Sequence, residues 1–178
     1  MDVDELKAWR TATEHAAAAV VAEFEDTYGF PPGDNVVEDP DKGGAARLAA
    51  IGAEIPVDLV QLYTVIGGVS LPDVGNGIFV HDPGLVADAY TAQQLRHVTG
   101  RHQADVVVFA SDGGGTLFAL ASPTGSPVYR LPAGKVIAGT YETNDPDFDI
   151  VATDLAGFLA RLRHAAQSFA ETGAIIDL

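Results

Sequence analysis

The spacing of apolar residues along the chain predicts a helix at each end. Apolar side chains recur every three or four residues over Asp2–Tyr28 and again over Thr153–Thr172, which is the period of an amphipathic helix. Asp2 and Glu5 stand in the positions of a capping box at the start of the first helix, and Gly29 follows its end as a stop signal. We therefore expect the rest of the fold to lie between two long helices.

Weaker helical patterns fall between these two segments. They predict three further helices, over Ala45–Ile51, Pro56–Ile66 and Pro83–Val98. Proline suits the first position of a helix, which strengthens the prediction for the second of them. The segment Phe30–Gly44 is instead rich in Pro, Gly and Asp, and this composition predicts an exposed linker.

Short runs of β-branched and aromatic residues, separated by turn residues, predict an antiparallel meander over Val106–Pro132. Its three strands are expected at Val106–Phe109, Thr116–Leu120 and Val128–Leu131. The connections are too short for the crossover that parallel neighbours need. Further strands are expected at Val69–Leu71, Ile78–His81 and Lys135–Tyr141.

Helices before and after a run of antiparallel strands predict the α+β class. We expect a single domain with a central, mostly antiparallel twisted sheet of about five or six strands, with helices packed around it and terminal helices flanking it. Residues 1–44 would form an N-terminal helix with an acidic linker, and residues 45–178 the α+β domain proper. The whole chain is expected to be one compact unit.

The composition of the chain excludes several kinds of site and partner. The chain has 178 residues and no cysteine, which excludes disulfides, thiolate metal sites and cysteine nucleophiles. It has no apolar run of the roughly 18 residues that a membrane helix needs, and its acidic start is unlike a signal peptide, so a cytoplasmic protein with no membrane contact is expected. The formal net charge of −15 disfavours nucleic acid as a partner. That charge has two open interpretations: it keeps the protein soluble, or it attracts a basic protein.

Motifs for catalysis or metal binding are weak. Asn144–Asp149 carries carboxylates at alternate positions, as calcium loops do, but Ile150 and Ala156 stand where such a loop needs glycine and glutamate. The histidines follow no metal-binding pattern, and no GxSxG motif supplies a serine nucleophile. We therefore expect no catalytic residue, no metal and no cofactor.

Exposed polar residues at turns are the candidates for partner binding. They are Asp73, Asn76, Ser111, Asp112, Glu142, Asp145, Asp147 and Asp149. At the two glycine-rich turns these residues could instead have a structural role. Glycine permits the positive φ that a tight turn needs, and Asp112 bonds readily to its local backbone. The acidic segment from Glu142 to Asp149 is expected to be a solvated loop that could face a basic partner.

Two blocks, Ile55–Gly84 and Val106–Gly134, carry a resemblance to a known family. The matching residues are Pro56 and Asp58 at a helix start, Gly67-Gly68 at its end, Leu71-Pro72 and Gly77 in a turn, Ser111–Gly115 in a hairpin, and Val128–Pro132 in a strand. Together they resemble the SUKH superfamily, which includes the fungal Smi/Knr regulators and many bacterial immunity proteins. Ile55 and Ile66 depart from the pattern, where leucine and asparagine are typical.

The resemblance implies a protein-binding domain without catalysis. Many bacterial members neutralise a toxin domain encoded beside them, often a nuclease, so an immunity protein that binds a basic toxin through an acidic face is the favoured function. The alternative is a regulatory or scaffold protein of the Smi/Knr type with no toxin partner. An unrecognised hydrolase is a third possibility, and it requires clustered acids or histidines in a deep pocket.

Overall fold

The structure, a computed structural model, describes residues 1–22, 24–134, 136–144 and 146–178, which form an α+β domain as the sequence predicts. The helices of the described residues are α1 (Val3–Ala22), α2 (Phe24–Tyr28), α3 (Gly44–Ala49), α4 (Val57–Leu62), α5 (Pro83–Thr91) and α6 (Leu155–Thr172). The strands are β1 (Val36–Glu38), β2 (Gly68–Leu71), β3 (Ile78–Val80), β4 (His97–Thr99), β5 (Ala104–Asp112), β6 (Leu117–Ser122), β7 (Val128–Leu131), β8 (Val136–Ile137), β9 (Thr140–Glu142) and β10 (Asp149–Ala152).

The terminal helices form as predicted and pack against each other. At the start of α1 the Glu5 amide donates to Asp2 Oδ1 at 2.9 Å, and the Asp2 amide donates to Glu5 Oε2 at 2.8 Å, which completes the capping box. Trp9 is buried, and its Nε1 donates to the Leu159 carbonyl of α6 at 2.8 Å. The predicted first helix is described as α1 and α2, and Glu23 between them lies outside the described residues.

The sheet is branched around its longest strand, β5. On one edge of β5 the sheet continues through β6 and β7 to β10, with every pair antiparallel. On the other edge β3 pairs near Ala110 and leads to β2 and β1, whereas β4 pairs near Ala104 and leads to β9 and β8. The β4–β9 pair is parallel, so the sheet is mixed. The described residues thus form ten strands in place of the five or six expected.

Both faces of the central strands are buried. On one face, which α1 and α6 cover, the ring centroid of Phe158 lies 5.0 Å from that of Phe109 and 5.1 Å from that of Phe118. On the other face the β4–β9 branch and the segment before β10 cover a second apolar cluster. That cluster contains Leu95, Val98, Val106, Ala119, Ala121, Tyr129, Leu131, Tyr141 and Phe148.

The prediction of an exposed linker over Phe30–Gly44 is wrong for the middle of that segment. Val36–Glu38 forms strand β1, which pairs antiparallel with β2, and Val37 is buried. The segment before it is held by Asp73, whose carboxylate accepts hydrogen bonds from distant backbone and side-chain groups. Local composition indicated a loop because these long-range partners are invisible in a short window.

Two other predicted boundaries are also wrong. The helix expected over Pro83–Val98 ends at Thr91, because Gln93 adopts a positive φ of 56° and the chain then enters β4. The strand expected over Lys135–Tyr141 is a hairpin of β8 and β9, turned at Ala138 and Gly139 with positive φ; Lys135 itself lies outside the described residues. Both errors arise where a turn with unusual backbone angles contains non-glycine residues.

Two further predicted segments were too long. The helix expected over Pro56–Ile66 is confined to α4, and Pro56 serves as its N-cap. The acidic loop expected over Glu142–Asp149 is shorter at both ends, because Glu142 belongs to β9 and Asp149 begins β10. The division of the chain at residue 44 stays a prediction. Within the described residues no helix has the length and apolar character to cross a membrane.

Candidate functional site

Two hairpin turns meet at one end of the central strands. The turn that joins β2 to β3 carries Asp73 and Asn76, and the turn that joins β5 to β6 follows Ser111 and Asp112. Because β3 pairs with β5, the two turns lie side by side, and the Gly113 amide donates to the Asn76 carbonyl at 3.0 Å. We call these two turns the paired turns; they bring together four of the eight predicted partner-binding residues.

The carboxylate of Asp112 is engaged by its own turn. Its Oδ1 accepts hydrogen bonds from the Gly114 amide at 2.9 Å and from the Thr116 amide at 2.7 Å. An aspartate that bonds to backbone amides two and four residues later stabilises a tight turn. This geometry matches the structural interpretation of the Ser-Asp-Gly-Gly-Gly motif, with the carboxylate still partly exposed.

Asp73 and Asn76 have different roles in the other turn. The Asp73 carboxylate accepts from the Gly33 amide at 2.7 Å and from Asn35 Nδ2 at 2.5 Å, and so fixes the segment before β1. Asn76 is exposed at the tip of the turn, and its backbone carbonyl accepts the hydrogen bond from the Gly113 amide. Its side chain is therefore the most accessible of the four.

The acidic loop and the paired turns do not form one continuous site. Glu142 ends β9 beside Thr99 of β4, and its Oε1 accepts from Asn144 Nδ2 at 2.5 Å. Asp149 begins β10 beside Arg130 of β7. These strands belong to opposite branches of the sheet, and the loop spans the distance between them. The predicted residue Asp145 lies outside the described residues.

Arg130 connects the end of the acidic loop with the paired turns. Its Nη1 donates to the Asp147 carbonyl at 3.3 Å. Its side chain also lines a small cavity of about 60 Å³ together with Asn76, Asp112 and the C-terminal residue Leu178. Asp147 and Asp149 are exposed, so the end of the loop presents carboxylates to solvent close to a half-buried arginine.

An apolar cleft that the sequence analysis missed lies beside the paired turns. It has a volume of about 320 Å³ and is formed by α5, the central strands and β8. Its lining residues are His81, Leu85, Ala89, Tyr90, Gln94, Leu95, Val108, Leu117 and Val136. Leu85 is 51% exposed and Val136 is 37% exposed, so both apolar residues remain accessible at the cleft. The one sequence signal was an unpatterned apolar stretch in the predicted helix Pro83–Val98, whose true end was not recognised.

A serine and a histidine meet at the border of this cleft. Ser111 Oγ lies 2.8 Å from His81 Nε2, and burial lowers the pKa of His81, while the charge of Asp82 opposes that shift. A serine nucleophile also needs donors for an oxyanion. The nearby amides of Gly113, Gly114 and Thr116 already donate to acceptors within the paired turns. These three amides therefore offer no such donor. The His81–Ser111 hydrogen bond links the residue that follows β3 to β5.

Metal ligands do not converge among the described residues. No group of three or more His, Asp or Glu side chains there has the geometry to hold a metal ion. The features that this part of the structure does present are exposed carboxylates and the apolar cleft.

Removing the Asp112 carboxylate tests its structural role. We expect Asp112→Ala to lower the free energy of unfolding by about 1–2 kcal/mol, because two amides lose their acceptor. Asp112→Asn keeps the Oδ1 acceptor and should retain most of the stability. Urea unfolding of the three proteins measures the difference, with the exposed Asp41→Ala as a control that changes stability by less than about 0.5 kcal/mol. An Asp112→Ala protein as stable as the wild type would contradict the role.

The protonation of His81 should follow its burial. We expect NMR titration to give a pKa below the ordinary value of about 6.5, because the charged ring is poorly solvated. The pKa of His81 is lower in the folded chain than in the unfolded chain, so the unfolded chain binds more protons as the pH falls below about 6.5. The contribution of His81 to stability therefore falls as the pH falls from about 6.5 through the pKa of the folded chain. His81→Gln should remove that contribution. A His81 pKa above 6.5 would show that its environment favours the charged ring.

Comparison with known proteins adds no family to these observations. No protein-family model matches the chain and no curated protein is significantly similar to it, so the resemblance to the SUKH superfamily depends on the sequence motifs alone.

Proposed function

We propose that this chain is a non-enzymatic protein-binding domain that acts in the cytoplasm as an immunity protein, neutralising a basic toxin domain. Its acidic surface approaches the basic surface with which such a toxin contacts its substrate, and the bound complex blocks that surface. The observation that carries the proposal is the formal net charge of −15, which results from 25 acidic residues against 10 lysines and arginines. The resemblance to the SUKH superfamily supports the same class of function.

Many of the basic side chains are engaged within the chain. Arg10 bonds to Glu14, to Asp39 and to the carbonyl of Val65. The other engaged arginines are Arg47 with Asp88, Arg96 with the ring and hydroxyl of Tyr90, Arg130 with the Asp147 carbonyl, and Arg161 with the Asp177 carbonyl. With 25 acidic residues against 10 lysines and arginines, a large negative excess is left to face solvent.

The exposed carboxylates would act on the rate of association with the partner, and the apolar cleft on the rate of dissociation. Exposed carboxylates such as Asp147 and Asp149 raise the rate of association with a basic surface, because long-range attraction steers the encounter. The apolar cleft, where Leu85 and Val136 remain accessible, can bury partner side chains, which slows dissociation.

Co-expression with the products of adjacent genes tests the proposal. We expect the chain to co-purify with a toxin domain encoded beside it and to restore growth to cells that express that toxin. The variant Glu142→Gln, Asp147→Asn, Asp149→Asn should associate more slowly, and a control with equal net charge, Asp4→Asn, Asp41→Asn, Glu54→Gln, should associate at nearly the wild-type rate. Failure to bind and to protect against any neighbouring toxin would refute the immunity function.

A further inference from the structure

An aromatic groove opens where the first and last helices end together. It lies between the end of α1, α2 and the last turn of α6, and its volume is about 620 Å³. Tyr28 and Phe169 line it with rings stacked at 9° and centroids 6.2 Å apart. Gly173 ends α6 in the left-handed region with φ of 69°, and a Cβ built on it would lie 3.8 Å from Tyr28 Oη. The two helix ends are therefore in contact.

Exposed aromatic rings cluster at this groove. Tyr28 is 43% exposed and Phe30 is 55% exposed, while Phe24 beneath them is buried. The centroid of Phe24 lies 4.5 Å from that of Tyr28 and 5.3 Å from that of Phe30, so the three rings form one cluster. Exposed aromatic rings attract cations, because each π face carries partial negative charge.

The charges around the aromatic groove favour the same kind of ligand. Glu171 in the last turn of α6 lines the groove, and Glu25 and Asp26 lie on α2 between its lining residues Phe24 and Thr27. All three carboxylates belong to exposed residues. The carboxyl end of a helix carries partial negative charge, and the last turns of α1, α2 and α6 contain no basic residue to balance it. Rings, carboxylates and helix ends thus all select a positively charged group.

We propose that the aromatic groove binds a basic segment of a protein partner. One arginine or lysine side chain of that segment inserts against the rings of Tyr28 and Phe169, which line the groove, beside the exposed ring of Phe30. The inference rests on the proposed function in one respect, the basic partner, and it adds the place where that partner is anchored. The carboxylates of the loop before β10 act on approach, whereas the aromatic groove acts in the bound state. An arginine suits it best, because its planar guanidinium stacks on aromatic faces.

An arginine-rich peptide of about ten residues serves as the probe, since it needs no knowledge of the natural partner. In NMR titrations of the full chain we expect the largest shifts at residues 27–29 and 169–173. Tyr28→Ala combined with Phe30→Ala should weaken binding about fivefold or more, as expected for the loss of two cation–π contacts. Tyr28→Phe keeps the ring and should bind like the wild type, and circular dichroism checks that each variant is folded.

Matched controls separate the aromatic groove from general attraction. The apolar control Val57→Ala with Ile175→Ala, at sites 70% and 67% exposed, should bind the peptide like the wild type. The variant Glu25→Gln, Asp26→Asn, Glu171→Gln should bind about tenfold more weakly, and the equal-charge control Asp4→Asn, Asp41→Asn, Glu54→Gln no more than about threefold more weakly. Absence of binding, or equal losses in groove and control variants, would overturn the inference.

The same variants separate this inference from the proposed function. If the Tyr28→Ala, Phe30→Ala protein still binds and neutralises the adjacent toxin with wild-type affinity, the aromatic groove is not the anchor and the immunity function stands. If the peptide binds at the aromatic groove while no neighbouring toxin is bound, the immunity function is refuted and the groove inference stands.

Discussion

Replacing Phe158 by alanine is expected to lower the free energy of unfolding by about 3–5 kcal/mol. The side chain is fully buried, and its ring lies between Phe109 of β5 and Phe118 of β6 on one side of the sheet. The substitution removes both aromatic contacts and leaves a cavity that the close-packed strands cannot fill. Urea unfolding followed by circular dichroism measures the loss.

A matched substitution on an exposed apolar side chain controls for the loss of hydrophobic atoms. Val57 at the start of α4 is 70% exposed, so Val57→Ala should change the stability by less than about 0.5 kcal/mol. Phe158→Leu fills part of the cavity and should fall between the two variants. If Phe158→Ala costs less than about 1 kcal/mol, α6 does not pack on the sheet as described.

Gly113→Ala should separate the paired turns and destabilise the protein by about 1–3 kcal/mol. A Cβ built on Gly113 would lie 2.1 Å from the Asn76 carbonyl oxygen, which is a backbone atom that cannot move away cheaply. The same oxygen accepts the hydrogen bond from the Gly113 amide at 3.0 Å, so the clash also breaks the contact between the turns. Thermal unfolding and the NMR shift of the Gly113 amide report both effects.

The neighbouring glycine is the matched control. A Cβ on Gly114 would meet Asp112 Oδ1 at 3.4 Å as its nearest neighbour, and neither glycine has a positive φ. Gly114→Ala should therefore be tolerated, within about 0.5 kcal/mol of the wild type. Equal destabilisation by the two substitutions would mean that the turns need flexibility and that their close approach is unimportant.

Elements with long patterns and local end signals were predictable from the sequence. The capping box of Asp2 and Glu5 and the apolar stripe behind it define α1, and Asp154 caps α6 by accepting from the Gly157 amide at 2.8 Å. The central meander followed from its turn residues, since Gly and Pro at short spacing leave only antiparallel connections. These features are determined within a few residues of one another.

Elements that depend on distant partners were not predictable. β1 forms because Val36–Glu38 meets β2, and the β4–β9 pair joins segments about 40 residues apart in the sequence. The strands that were missed are too short to show an alternating pattern. β1 lies in a segment whose composition indicated a linker, β4 begins inside the predicted helix Pro83–Val98, and β8 and β9 were expected as one strand. The strand count was underestimated for this reason.

The candidate site shows the same contrast between features determined locally and features that depend on distant segments. Turn chemistry located Asp73, Asn76, Ser111 and Asp112, and pairing of β3 with β5 brings them together. The apolar cleft and the aromatic groove were missed because each joins segments far apart in the chain, such as Tyr28 and Phe169. An exposed aromatic residue has no local signature that distinguishes it from a core residue.

The association rate with a toxin domain encoded beside this chain, measured against salt concentration, tests the central claim most directly. If an acidic surface captures a basic partner, stopped-flow mixing should show the rate falling at least about tenfold between about 50 mM and 500 mM NaCl, as screening removes the attraction. The neutralised variant Glu142→Gln, Asp147→Asn, Asp149→Asn should show a shallower dependence. A rate that does not change with salt, or no complex at any salt concentration, would contradict the account.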